Sequence, residues 1–198
     1  MTLQTALAAL VATIVLVACG GGSSEPFAPE ATDVGQPIGP ATRAVIGSAG
    51  GTLSSADGSV NVEVPAGAFT RDETVSLQEI SHLNHGAPGR AWRIGPQTLA
   101  TALPLTLRLH YDDADLQGTD AAELRLAYQD AQRRWIAPAP PSLDTASRTL
   151  TLSTRRLGDW SRFARLSLSP SAATVKVGQS LSLKLLRCEV VGFDAADG

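Results

Sequence analysis

From Ser59 to Pro65 the chain reads Ser-Val-Asn-Val-Glu-Val-Pro, three valines alternating with polar residues until a proline stops the run. A period of two places Val60, Val62 and Val64 on one face and Asn61 and Glu63 on the other, the pattern of a β-strand with one dry side. Asp57-Gly58 before it suits a tight turn, because glycine accepts positive φ and aspartate bonds to nearby backbone. Pro65 has no backbone donor and ends the strand, and Gly67 lets the chain bend so that Phe69 returns to the core. Val62 is therefore expected inside and Asn61 outside.

The same signal recurs up to about Leu166. Ala44-Val45-Ile46, Gly51-Thr52-Leu53 and Val75 to Leu77 are short strand candidates. Leu105, Leu107, Leu109 and Tyr111 alternate with Thr106, Arg108 and His110; Leu124, Leu126 and Tyr128 alternate with Arg125 and Ala127; Leu150 and Leu152 alternate with threonine and serine. Turn-formers separate them, including Gly95-Pro96, the aspartates 112, 113 and 115, Gly118, and the proline-rich run at 137–141. No stretch carries a sustained helical stripe. Short alternating strands with this punctuation predict an all-β antiparallel sandwich or barrel. With aromatics at only 5% of residues, Trp92, Trp135 and Trp160 are expected as core anchors.

The N-terminal part reads differently. Ala6 to Ala18 is a charge-free run of 13 residues. At about 1.5 Å per residue it would span roughly 20 Å, short of a roughly 30 Å hydrocarbon layer, so it is read as the apolar region of an export signal, residues 1–18. Leu16-Val17-Ala18-Cys19 followed by Gly20-Gly21-Gly22-Ser23-Ser24 resembles the lipobox of bacterial lipoproteins, where the cysteine is lipidated and becomes the mature N-terminus. The resemblance implies that Cys19 carries a membrane anchor, and that Gly20 rather than aspartate after it directs the protein to the outer membrane. No Lys or Arg precedes Arg43, so the translation start is expected upstream. Residues 19–42, rich in Gly, Ser and Pro, are expected to form a flexible linker.

Gly50-Gly51-Thr52-Leu53, then Val62 to Phe69 with its Pro-Ala-Gly-Ala-Phe turn, then Pro104 to Asp112, Trp135, and Trp160-Ser161-Arg162-Phe163 follow one order. In that order residues 43–166 resemble the ZU-five domain of zonula occludens proteins, netrin receptors and ankyrins. The resemblance implies a β-sandwich that makes protein contacts. Some of those domains cut their own backbone at a His-Phe-Ser motif; the corresponding place here reads Asp159-Trp160-Ser161. Ser161 remains, but aspartate, with its low ordinary pKa, is a poor base for an alcohol, so the motif is read as degenerate and inactive. Residues 167–198, with Leu181, Leu183 and Leu185 before Cys188, resemble the first strands of a bacterial immunoglobulin-like domain, too short to close a sandwich. A partner for Cys188 is expected beyond Gly198; the open alternative is a free thiol on strands that pack against the preceding domain.

Other chemistry is thin. His82 and His85 lie three apart without a third ligand, and Asp112, Asp113 and Asp115 lack the glycine and distal glutamate of a calcium loop. Both are read as solvated loops, and His110 as exposed. No metal or other cofactor is expected. A net charge of −3 gives no electrostatic reason for nucleic acid. The expected function is a lipid-anchored, non-catalytic envelope protein, a structural or adhesive module for a protein or surface-polymer ligand. The alternative is a self-cleaving or hydrolytic accessory protein.

Overall fold

A computed structural model describes residues 31–82, 90–116 and 120–164, with short segments at 13–14, 168–169, 173–174, 178–182, 184–185 and 192–193. The expectations for Cys19 and its flanking glycines, for His85, for Gly118 and for Cys188 lie outside the described residues, as does the export-signal run apart from Thr13–Ile14.

From Thr42 to Ala164 the chain is an antiparallel β-sandwich of eleven strands among the described residues. They are β1 (Thr42–Ile46), β2 (Gly51–Ser54), β3 (Val60–Val64), β4 (Glu73–Ile80), β5 (Ala91–Gly95) and β6 (Leu105–His110). After a one-turn helix α1 (Asp113–Leu116) come β7 (Leu124–Gln129), β8 (Trp135–Ala137), β9 (Ser142–Asp144), β10 (Thr149–Thr154) and β11 (Gly158–Ala164). One sheet has the order β9-β10-β6-β3-β2. The other runs β8-β7-β11-β5-β4-β1, and a two-residue segment, Gly192–Phe193, adds to β8 in parallel.

The alternating patterns account for the interior. Val60, Val62, Val64, Leu105, Leu107, Leu109, Leu150 and Leu152 face Val75, Leu77, Trp92, Ile94, Leu124, Leu126 and Trp160 in one core. Val62 is fully buried and Asn61 lies towards solvent, bonded to Ser54, which is the expected register. Gly58, at φ 72°, closes the turn between β2 and β3 as the Asp-Gly pair predicts, and Phe69 reaches the core.

A second apolar cluster lies on the outer face of the larger sheet: Ile80, Ala91, Ala127, Trp135, Ala137 and Phe163. It is here that the chain departs from the flexible linker expected through Thr42. From Thr32 onward the segment is laid across that outer face as a strap. Thr32 N donates to the Arg133 carbonyl at 2.8 Å in the β7–β8 turn, the Trp135 indole N–H donates to the Thr32 hydroxyl at 3.0 Å, and Gln36 and Ile38 exchange backbone bonds with Ser81 and Glu79 along β4. Gly35 is buried where a Cβ would stand 2.3 Å from the Ser81 carbonyl oxygen, so only glycine lets the strap lie this close. The strap carries no strand periodicity; its partners supply the order.

The strand registers also fix two ends. The β7–β8 turn, where the strap arrives, lies beside Gly158 at the start of β11. Ala164, where β11 leaves the sandwich, lies at the other end, where nearby Arg162 reaches the β2–β3 turn and the last residue of β6.

The Gly50-Gly51 pair separates into two roles. Gly50 sits at φ 76°, and an added Cβ would stand 2.4 Å from the Val64 carbonyl oxygen; at Gly51 the nearest atoms are ordinary contacts with Ile46 at 3.5 Å. Gly50→Ala is therefore expected to cost about 2–4 kcal/mol and Gly51→Ala under about 1 kcal/mol. Chemical denaturation of the two variants checks this, and equal midpoints would contradict the assignment.

Candidate functional site

Two groups of polar side chains stand out, one under the strap and one at the far end of the sandwich. Under the strap, Asp159, Ser161 and Phe163 point to the outer face of the larger sheet while Trp160 points into the core. Both faces of β11 are covered, so these polar groups must be satisfied by protein. Asp159 is buried and takes a bidentate pair from Arg93, with Nε and an Nη each at 2.7 Å, and a third bond from Gln97 Nε2 at 2.9 Å. Arg93 also donates to the Gly35 carbonyl at 3.1 Å, which ties the strap to the pair. Its hydrogen bond to Asp159 raises the Arg93 pKa despite burial.

The Ser161 hydroxyl is wholly buried and donates to the Arg90 carbonyl at 3.0 Å. The three residues of the degenerate motif thus point in separate directions: Asp159 to Arg93 and Gln97, Trp160 to the core, Ser161 to a carbonyl oxygen. Asp159 already accepts three hydrogen bonds in a charge-assisted fork, and the serine proton is held by backbone. The sequence shows a low-pKa residue in the base position; it does not show Arg93, 66 residues away, which occupies that carboxylate.

The other group surrounds a cavity of about 450 Å³. β11 brings Arg162 to its floor, the β2–β3 turn brings Asp57 and Ser59, β5 begins just after Arg90, β6 ends at His110, and α1 contributes Asp115. Arg162 is 8% exposed; one Nη donates to the His110 carbonyl and the other lies 2.9 Å from Asp115. Its Nε is buried with no acceptor among the described residues. Burial pulls the Arg162 pKa down, partly offset by attraction to Asp115. Trp92 carries both Arg90 and Arg162 against its ring, at 5.2 and 5.1 Å from the centroid.

Arg90 links three acidic and hydroxyl partners. It makes a fork to Glu79 at 2.8 and 2.7 Å, pairs with Asp57, and reaches Ser59 at 3.4 Å. The hydrogen bond to Glu79 is the largest influence raising its pKa. For Asp57, burial opposes ionisation, but hydrogen bonds from Ser55, Arg90 and Ser59 outweigh it and hold the carboxyl far below its ordinary range. A second cavity of about 260 Å³, lined by Pro40, Leu77, Glu79 and Trp92, shares Asp57 and Arg90 with the first.

The aspartates expected as a solvated turn are instead divided. Asp112 and Asp115 cap α1 reciprocally, each backbone N–H donating to the other's carboxylate at 2.8 and 3.0 Å, and the Asp115 side chain is turned in to Arg162, 12% exposed. Asp113 remains in solvent, 3.0 Å from Arg148. The buried guanidinium draws Asp115 inward, which spacing alone does not reveal. His82 likewise leaves the expected solvated loop and lies edge-on to Trp135 and Phe163, at 5.1 and 5.3 Å. His110 is exposed, as expected, with Nδ1 3.2 Å from the Ser147 carbonyl oxygen. Among the described residues no three His, Cys, Asp or Glu side chains converge as a metal site.

No protein-family model matches this sequence, and no curated protein matches it.

Two outcomes follow. Arg93→Met leaves Asp159 buried without its counter-charge and should cost about 3–5 kcal/mol, whereas adding Asp159→Leu should restore much of the loss. A thermal or denaturant double-variant cycle reads this out. For Asp57, a folded pKa below the unfolded value, near 3.8, adds stability above that pH and loses it as pH falls towards the folded value. The stability difference between wild type and Asp57→Asn should therefore be constant from neutrality to about pH 5 and shrink below about pH 4, measured by denaturation at each pH.

Proposed function

We propose that this chain is a lipid-anchored, non-catalytic binding module of the bacterial envelope, built on a ZU-five-like sandwich. The observation that carries the proposal is the polarity of the domain. The segment leading back towards Cys19 joins the sandwich at the β7–β8 end, and the polar cavity around Arg90 and Arg162 opens at the opposite end. A domain tethered at one end presents its other end to whatever lies beyond the membrane. Between Cys19 and Thr32 lie about a dozen residues, whose fully extended reach is at most roughly 45 Å. That bounds the distance from the domain to its anchor, with the cavity at the end away from the tether.

The engaged state of Asp159 and Ser161 supports the non-catalytic part of the reading. A hydroxyl becomes a nucleophile when a neutral base accepts its proton, and neither atom of the motif is arranged for that transfer.

Fractionation of cells making the full chain tests the reading. The wild-type product should partition with the membrane at one intact mass through long incubation, and Cys19→Ser should move it to the soluble fraction. Membrane retention of Cys19→Ser, or a pair of fragments meeting at Trp160 and Ser161, overturns it. A single lipid chain holds only marginally, so loss of a multiply acylated cysteine should be all-or-none.

A further inference from the structure

The distal cavity and its neighbour share the Arg90–Asp57 pair, both residues lining both spaces. That pair stands in partial contact with water, its side chains 40% and 42% exposed. Exposed ion pairs hold weakly, so the Asp57 contact can open; moving Arg90 off the Trp92 ring also requires release of its fork to Glu79, whose side chain is 28% exposed. Arg90 lies over the Trp92 ring, 5.2 Å from its centroid, and Trp92 also lines the smaller cavity. Displacing the guanidinium joins the two spaces over an indole face.

The charges lining the two cavities decide what fits there. Across the two spaces Asp57, Glu79, Asp112 and Asp115 face Arg90 and Arg162, four carboxylates against two guanidinium groups. A phosphate or carboxylate ligand meets four carboxylates, and an amine or metal cation meets two guanidinium groups. A neutral hydroxyl meets no such penalty, because it donates to carboxylates and accepts from N–H groups. Acceptors are wanted at this end: Arg162 Nε and Trp92 Nε1 are both buried without a partner, on residues 8% and 1% exposed. Buried donors left unpaired are exceptional in folded proteins, and a ligand oxygen is one way to satisfy them.

We propose that the joined cavities bind a neutral, hydroxyl-rich saccharide chain, with a sugar ring on the Trp92 face vacated by Arg90 and its hydroxyl groups shared between Asp57, Asp112 and the arginines. The apolar face of a pyranose carries C–H groups that suit the electron-rich face of an indole. The combined space suits one or two sugar units, within the range of small-ligand sites. This inference rests on the binding-module reading and names its ligand class as a surface polymer rather than a protein.

The test uses the full chain in detergent, applied to an array of neutral, uronic-acid-bearing and amino oligosaccharides. Neutral polysaccharide extracted from the producing cell and unrelated neutral glucans and mannans form separate arms that distinguish the source. Ala114, exposed on α1 at the cavity mouth, provides the blocking variant, because Ala114→Trp fills the opening without entering the core. Neutral glycans should bind, and Ala114→Trp should weaken that binding at least about tenfold with an unchanged melting temperature. Binding confined to charged glycans, neutral binding indifferent to Ala114→Trp, or no glycan binding at all overturns the inference. In the last case the binding-module reading stands if Cys19 still anchors an intact chain; a chain that cuts itself, or whose Cys19→Ser form stays on the membrane, fails that reading instead.

Discussion

The Arg93–Asp159 pair is the interaction on which the rest of the larger sheet depends. Asp159 stands on the central strand of that sheet, on a face that a sandwich normally leaves to water, yet it is 2% exposed. Taking a carboxylate out of water costs several kcal/mol unless its lone pairs are met. Here a guanidinium fork and the Gln97 amide meet them, and the same guanidinium reaches the Gly35 carbonyl. The pair therefore binds strap to sheet, and the strap in turn keeps water from the pair. Neither forms well alone.

That mutual dependence explains why β11 breaks the usual alternation. Trp160 packs inward and Phe163 packs outward, so apolar side chains lie on both faces of one strand. Burial on two sides is common where helices cover a sheet; in this chain a short irregular segment does the covering. Thr32 and Gly35 are small enough to lie flat, and Trp135 and Gln129 send their N–H groups to the strap through Thr32. The outer cluster is thereby enclosed without a second layer of regular structure.

Much of the sandwich was legible in the sequence because strand burial writes itself in a period of two. Val60 to Val64, Leu105 to Leu109 and Leu150 to Leu152 lie where that period puts them, and the tryptophans are buried. The strap was not legible. Glycine, proline and threonine without apolar periodicity are also the composition of a free linker, and what orders this one is a set of bonds to residues about a hundred positions away. The distal cavity was illegible for a related reason. Arg162, Asp115 and Arg90 belong to three separate elements, and only the closed fold shows that a buried charge on β11 needs the helix that carries Asp115. A sequence motif read for catalysis drew notice to Asp159 and Ser161 without their neighbours, whose identity determines what those groups can do.

The course of the strap also has a mechanical side. It enters beside the β7–β8 turn and runs to the opposite end before β1 returns, so a pull on the N-terminal segment loads Thr32 first and the Gly35 contact next. Those bonds would break in succession, from the N-terminal side inward, before the hydrogen-bonded ladder between β1 and β4 carried any tension. The strap would then act as a length of slack held in reserve. Seven residues from Thr32 to Ile38, released in turn, would add up to about 24 Å of free chain ahead of β1 while the sandwich stayed folded.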